Sequence, residues 1–462
     1  MEDILELVTG GVKLDFIHIA NAMNKLVRVA KRWPGEPSWK FEGNRLRQDP
    51  RFAQLIDLVR VHCPSFGARQ GANVLHALGV LHADLGAAVV DEELAAQLGK
   101  FVERKTRDMN PQEVANSLNA LSKLEAATAA VSPLGWKRLA EAVGRTAREL
   151  NPQAVANTLN TLSRLEAAVA VVSPTGWAGL AEGAERTARE MNPQGVANTL
   201  NALSKLEAAA AAVSPTGWAG RAGAAERTAS EMNPQDVANM LNALCKLEAA
   251  AVAVSPTGWA GLAGGGEKTA SQMNAQGVGN TLNALTKLEA AAAAMSPSGW
   301  AGLAEAAERT AREMNPQHVA NTLNALTKLE VAAAAMSPTG WAGLAAAAER
   351  TASEMNPQGV ANTLHALCKL EVAAVVISPT GWAGLAGAAE RTARDMNDQE
   401  VAMTLDALGV LPAAAAELSP SARKQLEAAA ERQAPNMTSQ GRNMTLRGCE
   451  KLKLRIPSAL SE

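Results

Sequence analysis

The chain has 462 residues, 47% hydrophobic but only 3% aromatic, with no tyrosine and a formal net charge of −2. That balance lacks the basic footprint of a typical nucleic-acid domain, so such binding would need a locally basic stripe. Alanine runs such as 208–213 are far too short to span a bilayer, which argues against a membrane protein.

The opening Met1-Glu2-Asp3-Ile4-Leu5-Glu6 is acidic and holds neither a secretory core nor an Arg- and Ser-rich transit peptide. Either the protein works where it is made, in the cytoplasm for instance, or the chain is incomplete at its start. Residues 1–66 read as a degenerate helical cap. Its stretch Ala20-Asn21-Ala22-Met23-Asn24-Lys25-Leu26 echoes a motif found further on, and 33–52, rich in Pro, Gly and charge, reads as a loop. Residues 67–109 form a divergent repeat carrying Asn73-Val74-Leu75-His76-Ala77-Leu78.

From residue 110 one unit recurs every 41 residues. Asn110, Asn151, Asn192, Asn233, Asn274, Asn315, Asn356 and Asn397 open eight copies over 110–437, and 438–462 is a partial copy. A fixed period of this size means stacked supersecondary units, and such arrays present long binding surfaces more often than catalytic pockets. In the copy at 192, Asn192 is an N-cap, Pro193 leads the helix, and Val196, Leu200, Leu203 and Leu206 mark one apolar face. This predicts a helix, A, ending before Ser214. Ser214-Pro215 starts helix B, with Trp218 in its first turn. The expected fold is an all-α solenoid: a right- or left-winding superhelix of about ten stacked antiparallel hairpins. Trp136, Trp177, Trp218, Trp259, Trp300, Trp341 and Trp382 form a column, read as core anchors in preference to base-stacking platforms. The eighth copy has Arg423 where Trp is expected.

Counting each opening Asn as position 1, positions 3, 7, 10 and 14 share a face of helix A. Position 7 is Asn116, Asn157, Asn198, Asn239, Asn280, Asn321 and Asn362; position 10 is Asn119, Asn160, Asn201, Asn242, Asn283, Asn324 and then His365. Position 14 is Lys123, Arg164, Lys205, Lys246, Lys287, Lys328 and Lys369. Mid-helix Asn costs helix propensity, so two per helix require a reason. One reason is a structural ladder of amides bonding between neighbouring A helices or back to loop carbonyls. The other is an RNA-binding lattice, in which amides read base edges and the cation column follows phosphates. Position 4 varies as Glu113, Ala154, Gly195, Asp236, Gly277, His318 and Gly359, the candidate specificity series; position 13 varies among Ser, Thr and Cys, with Gly409 in the eighth copy. No Walker A loop, HExxH, GxSxG or metal spacing occurs. This predicts no enzyme, no cofactor and no small-molecule substrate. Cys63, Cys245, Cys368 and Cys449 form no CxxC and read as free thiols.

The stretch Ala115-Asn116-Ser117-Leu118-Asn119-Ala120-Leu121-Ser122-Lys123-Leu124, with Gln112 to Val114 before it, resembles the octotricopeptide repeat family, and Phe16 to Ala22 is similar to segments preceding such arrays. The resemblance spans roughly 15–452. It implies binding of single-stranded RNA by a helical-repeat superhelix, in chloroplasts or mitochondria, acting on transcript stability, processing or translation. The period is longer than that family's, and position 10 is Asn where the family often carries Trp. A second resemblance competes. Residues 197–206 are similar to SKWP repeats of plant-pathogen type III effectors, as is Lys31-Arg32-Trp33-Pro34. That one implies an armadillo- or HEAT-like scaffold with a protein partner.

Overall fold

A computed structural model describes residues 2–9, 14–30, 46–85 and 89–460. Among them every regular element is a helix, arranged as repeated hairpins with the 41-residue period: an all-α solenoid. The signature at 31–34 lies outside the described residues, as does 33–45 of the expected loop. The rest of that loop is corrected: residues 46–48 are helical, and Asp49 caps a helix over Pro50–His62, its carboxylate accepting the Arg51 N–H. Pro50, read as a loop residue, stands at the helix start, where its missing N–H is harmless.

The copy at 192 shows how sequence dictates the elements. Asn192 sits at extended dihedrals (φ −76, ψ 168) and its side chain accepts the Gly195 N–H, launching helix A over Pro193–Leu203. Val196, Leu200 and Leu203 of this helix are buried. The helix stops sooner than the spacing predicts. Ser204 donates its hydroxyl to the Asn201 carbonyl at 2.9 Å, a local bond that competes with helix continuation. Leu206 then leaves the helical region (φ −111, ψ 79) while staying in the core, and a short connecting helix runs over Glu207–Ala211. The equivalent hydroxyls of Ser122, Ser163, Thr286 and Thr327 and the thiol of Cys245 make the same bond. In the copy at 356 the A helix runs on to Lys369.

Helix B follows the expected pattern. Ser337 caps Pro338–Thr351 by accepting the Gly340 N–H. The seven column tryptophans are 5–8% exposed, so they are core anchors and no base can stack on them. In the eighth copy Arg423 takes another role: its guanidinium donates to the carbonyls of Leu452 and Ala415.

The chain forms two compact units, 1–224 and 225–462. In the first, the helices Phe16–Ala30, Ala68–Leu85, Pro111–Leu121, Pro152–Leu162 and Pro193–Leu203 pack in series as one A layer, and Pro133–Thr146 packs on Pro174–Thr187 in the B layer. In the second, the A layer runs from Pro234–Leu244 to Ser439–Leu452 and the B layer from Pro256–Thr269 to Pro420–Gln433.

Two neighbouring side chains near the end of helix B join the copies. The position-35 glutamate reaches forward. Glu308 accepts the hydroxyls of Ser337 and Thr339 in the next copy, and Glu226 accepts those of Ser255 and Thr257. Glu349 accepts both the N–H and the hydroxyl of Ser378. The position-36 arginine reaches backward to orphan carbonyls at the end of the preceding B helix. Arg309 donates to the Ala270 and Met273 carbonyls, Arg350 to those of Ala311 and Met314, and Arg391 to those of Ala352 and Met355. Position 26 is closely packed: a Cβ on Gly299 or Gly381 would meet the side chain of Glu267 or Glu349, yet the eighth copy carries Ala422 there and keeps the joint, with Glu390 accepting the Ser419 hydroxyl.

One copy breaks the core pattern. Position 30 is Leu in its sisters but Arg221 here, 1% exposed, with its Nη1 donating to the Gly217 carbonyl at 2.7 Å and its Nη2 to that of Ala181 at 3.3 Å. Its Nε has no partner, and the ring of Trp218 lies 5.7 Å from the guanidinium carbon. Burial lowers its pKa to about 10, against the pull of Glu185. A buried, incompletely bonded cation is often less stabilising than an apolar residue of similar volume. Arg221→Leu is therefore expected to raise stability by about 1–3 kcal/mol, read from the urea midpoint; a lower midpoint would contradict this.

The clasp carries a pH signature. The hydroxyls of Thr257 and Ser255 hold the Glu226 carboxyl below its ordinary range, and those of Ser337 and Thr339 do the same for Glu308. A carboxylate with a depressed folded-state pKa adds stability above the unfolded-state value and loses it as pH falls through the folded-state value. The midpoint should thus fall as pH drops below the usual glutamate range. In the double variant Glu226→Gln, Glu308→Gln that acid-side slope should flatten, measured by urea titration between neutral pH and about pH 3.

Candidate nucleic-acid interface on the A layer

The Asn rows stand where the A helices leave a surface. Asn116, Asn119, Asn157, Asn160, Asn198, Asn201, Asn239, Asn242, Asn280, Asn283, Asn321, Asn324, Asn362 and His365 are all half-buried. No hydrogen bond links the Asn carboxamides of these rows to one another among the described residues, so the expected structural ladder is not what holds them. Adjacent A helices converge on shared hollows instead. In the first unit, Gln153, Asn157, Gln194 and Asn198 line a hollow of about 320 Å³. In the second, Gln317, Asn321, Gln358 and Asn362 line one of about 300 Å³. Each hollow takes position 3 and position 7 from two successive copies, so amide donors and acceptors face one space. Glu190 and Glu354 add a carboxylate to the respective hollows.

The cation column is displaced from where spacing put it. Because the A helix ends at position 12, Arg164, Lys205, Lys246, Lys287 and Lys328 project from the turn beyond the helix, all exposed, and Lys123 is half-buried in the same turn. Lys369 alone of the series closes its helix, and it too is exposed.

The specificity series divides. Glu113 and Asp236 sit at the third helical position and close a capping box with Asn110 and Asn233, so their carboxylates are committed to their own helix starts. They are 8% and 5% exposed, and burial raises the pKa of Asp236. Gly195 and Gly359 line the two hollows. His318 is half-buried, and burial lowers its pKa; Ala154 is half-buried as well, and Gly277 is buried. His365 has its pKa lowered mainly by burial, with Lys369 adding to the effect.

Helical spacing alone does not single out the Glu and Arg at positions 35 and 36. Their signal was available: Glu-Arg or Glu-Lys recurs in seven of the eight copies, the exception being Gly144-Arg145. The cysteines are free, and burial pushes the thiols of Cys63 and Cys449 up to about 11, which makes them inert. Among the described residues no helix is long and apolar enough to cross a membrane.

Fold and surface together define an all-α helical-repeat protein. Seven segments, 91–118, 137–159, 163–200, 221–241, 253–282, 303–323 and 344–364, match a repeat family described as "Protein of unknown function (DUF1601)". The last two matches begin one 41-residue period apart. No curated protein matches. Among solved structures the chain is similar to a chain of the "Homology model of the full-length AP-3 complex in an intermediate open conformation", at 10% identity and TM-score 0.31, covering 98% of this chain and 86% of that one. It is also similar to the pentatricopeptide repeat protein PPR10 from maize, at 12% identity and TM-score 0.12, covering 94% and 93%.

Proposed function

We propose that the A layer binds single-stranded RNA without catalysis, as an octotricopeptide-like reader acting on transcript stability, processing or translation, in an organelle as that resemblance implies. The observation that carries this reading is the recurring amide-lined hollow, found in each unit with the same residue positions. Unstacked bases expose Watson–Crick edges that Asn and Gln amides pair with, and RNA modules reading one base per helical repeat use two or three side chains each. The exposed Lys and Arg beyond each A helix follow the backbone as phosphate contacts. Variation at Ala154, Gly195, Gly277, His318 and Gly359 then tunes each hollow, while Glu113 and Asp236 act indirectly through their caps.

A protein-binding scaffold is the second reading. It is favoured by Val252, Val331, Val372 and Val375, which are 57–81% exposed on or beside the short connecting helices of the second unit.

The test is retention of a randomised single-stranded RNA pool by the full chain at two salt concentrations. A sequence motif should be enriched. Changing Lys246, Lys287 and Lys328 to Glu should weaken binding at least about tenfold. It should also reduce the salt slope by about 2, at roughly 0.7 per lost phosphate contact on a single strand. Unchanged affinity in that variant would remove the A layer as the binding face. No retention even at low salt would favour the protein scaffold.

A further inference from the structure

The N-terminal end of the first unit holds a cleft of about 1240 Å³, about four times the hollows between repeats. Its floor continues the A layer: Asn21 and Asn24 of Phe16–Ala30, Asn73 of Ala68–Leu85, and Asn116 of Pro111–Leu121 all line it. Two features are absent from the hollows between repeats. The first is a cluster of cations: Lys25, Arg28 and Arg69, from two adjacent helices, line the cleft. All three are exposed, and none has an ion-pair or hydrogen-bond partner among the described residues. The lining carboxylate, Glu113, is committed to the Asn110 cap. The second is an apolar wall. Helix Glu2–Thr9 brings Ile4 and Leu7 to the cleft, and Ile17 joins them; Leu7 and Ile17 are 49% and 45% exposed and so present apolar surface to whatever enters.

Exposed cations beside an exposed apolar wall and a row of amides match the three faces of a nucleotide: phosphate, base plane and base edge. We propose that this cleft is an anchoring site for a nucleotide of the bound RNA. Lys25, Arg28 and Arg69 hold its phosphates, and Ile4, Leu7 and Ile17 pack on a base. The inference rests on the RNA reading of the A layer and adds to it a site outside the 41-residue copies, with different chemistry. The volume exceeds the roughly 300–1,000 Å³ of ordinary small-ligand sites, which leaves room for more than one nucleotide.

The experiment uses the full chain and a fluorescent randomised 20-nucleotide RNA pool. Three proteins are compared: the natural chain, the charge variant Lys25→Gln, Arg28→Gln, Arg69→Gln, and the wall variant Leu7→Ser, Ile17→Ser. The substituted residues are exposed, and circular dichroism checks each fold; the single variant Arg69→Gln serves if the triple does not fold. The charge variant should bind about tenfold or more weakly, with a salt slope reduced by about 2. The wall variant should bind several-fold more weakly with its salt slope unchanged. The contrast in slope separates phosphate contact from base contact.

If the natural chain binds RNA and both variants match it, the cleft assignment is overturned while the RNA reading stands. If the natural chain binds no RNA, both fall. If poly-glutamate displaces the RNA as well as unlabelled RNA does, the cleft is a general polyanion site and the nucleotide assignment is overturned.

Discussion

The structure depends on one clasp, formed by two adjacent residues near the end of the B helix in seven of the eight copies. A hairpin of alanine-rich helices buries little large apolar surface by itself, and stacking is what supplies a core. The glutamate at position 35 engages the cap of the next copy, and the arginine at position 36 engages the terminal carbonyls of the previous one. Within each unit, neighbouring B helices are thus tied by charge-assisted hydrogen bonds, stronger than neutral ones. The same bonds satisfy backbone carbonyls that a helix end leaves orphaned. Spacing between copies is fixed as a consequence. Where Gly144 replaces the glutamate, the joint is made instead by close approach of Gly144 to Gly176, with a Cβ on Gly144 meeting the Gly176 Cα at 3.2 Å.

Within each unit the A helices also pack on one another, but through their buried Val, Ala and Leu positions and not through the asparagines. This explains how two half-buried asparagines per A helix are tolerated without bonding to each other. Of the two, the position-7 amide, with the glutamine at position 3, offers unspent donors and acceptors to whatever enters the hollows, while the position-10 amide does not line them. Rigid presentation of polar groups from helices lowers the ordering cost of binding. Position 13 contributes here too, since its hydroxyl or thiol ends the A helix early and swings the cation at position 14 out to the rim.

The copy containing Arg221 departs from the consensus in its core without losing the fold. Its guanidinium finds two carbonyls and an aromatic face, and burial lowers its pKa to about 10, which still leaves it charged at neutral pH. A repeated architecture absorbs such a local fault because each copy depends on its immediate neighbours alone.

The amino-acid sequence by itself determined the period, the helix starts and the buried column. Asn-Pro and Ser-Pro caps are local signals, and the tryptophans share a face with other apolar residues. It also placed positions 3, 7 and 10 on one helix face, because that follows from 3.6 residues per turn. Tertiary structure decided the rest. The A helix ends at position 12 because a side-chain bond to position 10 competes with the next turn, an outcome that helical spacing does not encode. Two of the seven residues of the position-4 series, Glu113 and Asp236, went to capping boxes, since whether a carboxylate turns back to its own N-cap depends on its rotamer. The Glu-Arg clasp joins residues about 30 to 40 apart in sequence, so its partners become visible only once copies are stacked. The N-terminal cleft is legible in no single copy, because its cations and its apolar wall come from helices that only packing brings together.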